Sequence, residues 1–361
     1  PEAPELFEPH PILGAFHIPG ARAIWTREGT ALVEINAAGL RDRYVSVTNP
    51  AGAIRVLVLG DSIVEALQVP LEATFVKVLE RSLGRWHLDH RVEVINGGVS
   101  GFGTAQEYLF LTHYGLAYQP DLVVLSFTVG NDVRNNSEKL ERYPSTPFFT
   151  VRDGRLVRSA RPFYHETFWK RVLRRDSHLY LFLMRRRAVV EQGLRRWTSD
   201  ETMPADLNVY SAAAGAAWDE AWAITERLLG EIASAGRAAH AGLVVVAVPD
   251  PPQVYPETLR NVLRGQPVPS GWDLDLPQKR LREIAKRMGV PFVDLLPCFR
   301  AAARTRQDPL YFGFNGHLTE EGHRVVAAVL LQAIQGRRLL PSGRTPPAPE
   351  RAPLPDACRA A

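Results

Sequence analysis

Five short apolar runs, each followed by a helical pattern, constrain this 361-residue chain more than any other feature. They lie at residues 54–59, 92–95, 122–129, 243–248 and 292–295. Near-continuous apolar runs of this length read as parallel strands buried on both faces. Between them, Phe75, Val78, Leu79 and Leu83 share one helical face. Thr104, with Glu107 three residues on, has the capping-box pattern of a helix start. A helix over 216–235 carries Trp218, Trp222 and Leu229, and one over 277–288 carries Leu281, Ile284, Ala285 and Met288. Thr319 caps a last helix reaching about Ile334. The alternation predicts an α/β fold with a five-stranded parallel sheet covered on both faces. Ligands in such folds bind beyond the carboxyl ends of the strands.

The pattern is interrupted once. Residues 134–215 hold turn signals, a hairpin from Phe148 to Val157 around Asp153-Gly154, and a long basic helical stretch, and they read as a mostly helical insertion. Residues 1–45, Pro-rich and aromatic with little periodicity, read as an extended arm laid over the domain that spans 46–335. The tail, 336–361, is rich in Pro, Ala and Arg from Pro341 on and reads as disordered. With 45% hydrophobic and 23% charged residues the chain can bury a large core, yet no apolar run approaches the roughly 18 residues that span a bilayer. The two cysteines, Cys298 and Cys358, fit no metal spacing and are not expected to pair.

Four polar clusters fall at one edge of the expected sheet. The first three runs end in Gly60-Asp61-Ser62, in Asn96-Gly97-Gly98-Val99-Ser100-Gly101 and in Gly130-Asn131-Asp132. Asn315-Gly316-His317-Leu318-Thr319 lies between the fifth run and the last helix. A serine hydroxyl is a weak nucleophile that needs a base within hydrogen-bond reach and donors aimed at the developing oxyanion. Ser62 offers the hydroxyl and its backbone N–H, His317 the base, Gly101 a second backbone N–H, and Asn131 a side-chain amide. An imidazole base predicts activity that falls in acid.

These blocks, in this order, resemble those of the SGNH (GDSL) hydrolases, over roughly residues 54–335. The resemblance implies a flavodoxin-like three-layer fold and hydrolysis or transfer of an ester-linked acyl group. It assigns Ser62 as nucleophile, His317 as general base, and Ser62, Gly101 and Asn131 as the oxyanion hole. It implies no cofactor and no metal. The family usually places an Asp two or three residues before the His, and here those positions are Asn315 and Phe314. Three arrangements remain open: Asn315 orients the ring, Asp308 folds in, or Ser62 and His317 act as a dyad. A short acyl group, such as acetyl on a glycan, follows from the resemblance alone, as does an extracytoplasmic location, together with a chain that starts at Pro1.

The remaining residues have plainer readings. Asp61 and Asp132 order loops. His323 packs or lies at the surface, the Trp218 and Trp222 pair is core, and His113, His165 and His178 are solvated or structural. Between Arg134 and Ser199 there are 16 Lys+Arg against 6 Asp+Glu. The basic segment 169–197 is a solvated face or, through Leu179 to Leu183, a contact for an anionic membrane surface. No nucleic-acid reader motif accompanies the charge. Glycines at 97, 98, 101 and 103 do not make a dinucleotide fingerprint, and the Gly-x-Ser-x-Gly elbow is absent. The non-enzymatic alternative is a catalytically degenerate, carbohydrate-binding relative with the same fold.

Overall fold

In the computed structural model the five apolar runs form one parallel sheet. The strands are β5 (Ile54–Gly60), β6 (Val92–Gly98), β7 (Leu122–Thr128), β10 (Gly242–Val248) and β11 (Phe292–Asp294). Across the sheet they run β11-β10-β7-β5-β6, and every pair is parallel. The structure describes residues 5–49, 52–86, 90–141, 146–160, 205–313 and 316–340, scattered positions between 173 and 190, and Cys358.

Side chains alternate across a strand, so each buried strand feeds two cores. Val56 and Val58 of β5 join the cluster formed with α2 (Phe75–Trp86) and α8 (Glu320–Gly336). Leu57 and Leu59 join the other, which includes α3 (Thr104–His113) and α5 (Ala216–Ala238). Trp218 and Trp222 are core residues of that second cluster. The result is the flavodoxin-like three-layer fold. The carboxyl ends of β5, β6 and β7 open on one edge, where the chain order reverses between β5 and β7.

Some boundaries and caps differ from the sequence reading. The α3 cap falls at Gly103, whose N–H donates to Gln106 Oε1 at 3.1 Å. Glu107 is therefore not a capping partner, and it is buried inside the fold. Thr319 does cap α8, its hydroxyl accepting from Gly322 N at 3.2 Å. The hairpin around Asp153-Gly154 is present as β8 (Phe149–Arg152) and β9 (Arg155–Arg158). Most of the basic segment 169–197, with Asn315 and nearly all of the tail, lies outside the described residues.

The segment read as an extended arm instead folds back on itself twice. β1 (Phe7–His10) pairs with β2 (Gly14–His17), and β3 (Arg22–Trp25) with β4 (Ala31–Glu34). Leu6, Leu13, Trp25 and Val33 are buried in the same cluster as the sheet. The cysteines also differ from expectation: Cys298, in α7 (Leu296–Thr305), and Cys358 are disulfide-bonded and buried. Sequence spacing says nothing of such a pair, because partners 60 positions apart are brought together only by the tertiary structure.

Candidate active site

Ser62 opens α1 (Ser62–Glu65), a single turn directly after β5. Asp61 caps that turn, its Oδ1 accepting from Ile63 N at 2.9 Å and from Thr128 Oγ1 at 3.1 Å. Asp61 is thus a structural acid, as the sequence suggested. Its burial pushes its carboxyl up, and hydrogen bonds from Ile63, Asn131 and Thr128 counter this. Glu107 and Asp132 are buried in its neighbourhood. Burial first, and then the adjacent carboxylates, hold both well above the ordinary range. Asp132 Oδ2 accepts from Thr128 N at 2.7 Å, which ties the Asn131 turn to the end of β7.

His317 reaches the same place from a loop closed by the Tyr311–Leu318 bridge and by Phe312 N donating to His317 O at 2.8 Å. Its Nε2 lies 3.1 Å from Ser62 Oγ. Its Nδ1 lies 2.5 Å from Oε2 of Glu28, a residue of the β3–β4 turn. The Glu28 side chain is 1% exposed, against 16% for His317. A carboxylate sheltered from water interacts more strongly with an imidazolium than a solvated one. A buried carboxylate needs such a partner. Hydroxyl, imidazole and carboxylate therefore form one hydrogen-bonded line, with Nε2 facing the hydroxyl and Nδ1 facing the acid.

The acid is the correction to the sequence reading. Asp308 is exposed in the loop after α7, and the far side of the ring, for which Asn315 was also a candidate, is taken by Glu28. The tip of the β3–β4 hairpin is seated closely here: a Cβ on Gly29 would lie 2.2 Å from Gln68 O and 3.1 Å from Phe312 Cζ. Only glycine lets the turn sink far enough for Glu28 to reach the ring. Glu28 stands 289 positions from His317, outside all four motif blocks. The sequence carried little periodicity there to mark the two strands, Arg22–Trp25 and Ala31–Glu34, that flank this Glu-Gly turn.

The expected oxyanion donors lie on the adjoining loops. Val99–Phe102 is a tight turn, with Phe102 N donating to Val99 O at 3.1 Å and Gly101 at φ +80°. That φ suits glycine at the third position of a type II turn. Gly101 is exposed, and a Cβ there would meet no atom within 4 Å. Asn131 Nδ2 donates to Asp61 Oδ2 at 3.0 Å, which orients the amide and leaves its second N–H uncommitted to that bond. His323, six residues after His317, is buried in α8. Its Nδ1 accepts from Phe75 N at 3.2 Å, and the ring stacks on Phe75.

A serine and histidine at the carboxyl edge of a flavodoxin-like sheet define the SGNH class of hydrolases. The chain belongs to the GDSL-like lipase/acylhydrolase family, whose model matches residues 58–325, and it is an ester hydrolase of that family. Among solved structures it is similar to Axe2, an acetylxylan esterase from Geobacillus stearothermophilus, at 15% identity and TM-score 0.43, over 82% of this chain and 100% of that one. It is also similar to LAE5, an alpha/beta hydrolase enzyme from the metagenome of Lake Arreo, Spain, at 15% identity and TM-score 0.42, over 81% and 98%. TesA matches at 14% identity and TM-score 0.43, over 79% and 99%. No curated protein matches the sequence.

Proposed function

We propose that the protein hydrolyses an ester-linked acyl group through an acyl-enzyme on Ser62. His317 Nε2 takes the Ser62 proton as Oγ attacks the ester carbonyl. The oxyanion is held by the backbone N–H groups of Ser62 and Gly101 and by Asn131 Nδ2. His317 returns its proton to the leaving alcohol, then activates the water that releases the acid and restores Ser62. Glu28 accepts from Nδ1–H, keeps the ring in the tautomer that can receive the Ser62 proton, and stabilises the imidazolium. No step in this sequence calls for a metal or cofactor.

The observation that carries this reading is His317 placed between Ser62 Oγ at 3.1 Å and Glu28 Oε2 at 2.5 Å. A partner for Nδ1 also removes the main motive for the degenerate binding-module alternative, which rested on a missing acid. The substrate we propose is a short acyl ester, such as acetyl on a glycan. A sugar hydroxyl replacing water as acceptor would make the same intermediate serve acyl transfer.

A fluorophosphonate probe should label the wild-type protein on Ser62, and Ser62→Ala should lose both labelling and hydrolysis of nitrophenyl acetate. A folded wild-type protein that takes no label would favour the binding module. Octanoate released faster than acetate from the nitrophenyl esters would overturn the short-chain assignment.

A further inference from the structure

Two carboxylates flank Ser62, one residue before it and three after, and each ties α1 to a different donor loop. Asp61 holds Asn131. Glu65 holds the turn that carries Gly101: its Oε2 accepts from Ser100 N at 2.9 Å and also from the Ser100 hydroxyl. The Glu65 side chain is 0% exposed, and so is that of His17, whose Nε2 lies 2.5 Å from Glu65 Oε1. His17 is the last residue of β2, and its Nδ1 donates to Gly39 O at 2.9 Å. The same N-terminal segment supplies Arg41, buried against the carbonyls of Glu65, Ala66 and Val69. Ala66 among them is left-handed, with φ 57°.

A fully buried carboxylate is costly unless every oxygen is occupied, and packing alone would be served by an apolar residue. Among the described residues, Glu65 meets that condition through two partners, His17 on one oxygen and Ser100 of the Gly101 turn on the other. The turn is exposed at Gly101, where a Cβ would meet nothing within 4 Å; buried Val99 and Phe102 fix its two ends, and the Glu65 bonds hold Ser100 between them. The bond to Ser100 N fixes the Val99–Ser100 peptide plane, the neighbour of the Ser100–Gly101 plane that aims the Gly101 N–H. A misaimed donor loses transition-state stabilisation far more than it loses substrate affinity.

From these contacts we infer that Glu65 is a positioning residue for the oxyanion turn, and that His17 of the N-terminal hairpin holds Glu65 in place. The inference rests on the proposed role of the Gly101 N–H as an oxyanion donor. The N-terminal segment then serves the site twice, once through Glu28 on the base and once through His17 and Glu65 on the donors.

The test compares Glu65→Gln, Glu65→Ala, Ser100→Ala and His17→Phe with the wild-type full chain. It uses kcat and KM for nitrophenyl acetate and hydrogen exchange across residues 99–103. Glu65→Ala and His17→Phe should lower kcat about 30- to 100-fold, with KM within about twofold and faster exchange in the 99–103 segment. Glu65→Gln, which keeps a carbonyl acceptor, and Ser100→Ala, which keeps the backbone bond, should recover most of the loss, to within about 3- to 10-fold of wild type. Lys77→Met is the stability control. It breaks another buried pair with the same segment, Lys77 Nζ to Asp42 Oδ1 at 2.6 Å, and should lower Tm without moving kcat or the exchange of 99–103.

The inference is overturned if the Glu65 and His17 variants lose only Tm, as Lys77→Met does. It is overturned equally if KM rises while kcat holds. Should either Ala or Phe variant fail to fold, Glu65→Gln and Ser100→Ala decide it: unchanged kcat and exchange in both defeat the proposal. Loss of the hydrolase reading looks different, as a wild-type protein that neither hydrolyses the ester nor takes label on Ser62.

Discussion

The parallel sheet and the N-terminal hairpins contribute to the same site by different means. The sheet's strands are buried on both faces, so their runs are mostly apolar, and their carboxyl ends deliver Ser62, Gly101 and Asn131 by topology alone. The hairpins are built from four-residue strands with mixed burial and reach the site by lying across it. Isolated two-stranded ribbons are marginal in water, and these are held by burying Leu6, Leu13, Trp25 and Val33 against the sheet's own core. Catalytic groups on the rigid sheet edge announce themselves as motifs. Groups brought by a docked appendage need only the right length of chain and a tip that fits.

The sharpest way to break this contrast is to remove the appendage's acid. Glu28→Ala should lower kcat about 10³- to 10⁴-fold, or roughly 4–5.5 kcal/mol of transition-state stabilisation. Asp308→Ala should leave kcat unchanged. Activity of Glu28→Ala within twofold of wild type would return the base to the sheet edge alone, as a dyad.

A covalent tie elsewhere in the chain offers a second comparison. The Cys298–Cys358 bond closes a 60-residue loop that contains His317 and α8. Chain-entropy reasoning for a loop of that length predicts that Cys358→Ser lowers unfolding stability by about 4 kcal/mol. Denaturant titration measures this, and a loss well under 1 kcal/mol would mean that noncovalent packing already holds the terminus. In the N-terminal segment, where no disulfide falls among the described residues, Gly29→Ala should instead act on the chemistry. A Cβ facing Gln68 O would lift the hairpin tip and lower kcat about 10- to 100-fold, roughly 1.4–2.7 kcal/mol, with little loss of fold. Equal kcat for Gly29→Ala would show that Glu28 tolerates a displaced turn.

The last comparison concerns two histidines of one segment, six residues apart. His317 faces Ser62, whereas burial, and then the nearby charge of Arg41, hold the His323 pKa down to about 3. His323 is therefore neutral in the fold and takes up a proton on unfolding below its ordinary value. Its contribution is fully present above about pH 6.5 and is lost as pH falls towards 3, by at most about 1.4 kcal/mol per pH unit. His323→Phe should flatten the stability–pH slope between pH 6 and 4 relative to wild type. Parallel slopes would show that His323 is already charged in the native state. The buried carboxylates with raised pKa values act in the other direction, but equally in both proteins.

Much of this was legible in the chain. Buried parallel strands must be apolar on both faces, and a wound sheet must present its strand ends at one edge, so the five runs and the four polar clusters implied both the fold and the meeting of Ser62 with His317. The same logic does not reach Glu28, His17 or the Cys298–Cys358 pair. Nothing in a short polar turn marks the residue that will lie 2.5 Å from an imidazole. That contact exists because the hairpin's apolar residues share a core with the sheet and because Gly29 permits a close approach. Periodicity and strand-end motifs are local and repeat along the chain, so the sequence alone determined the sheet and which serine and histidine its edge would bring together. The group that faces the far ring nitrogen is a matter of which distant surface docks on the ring, a packing outcome that only the tertiary structure decided.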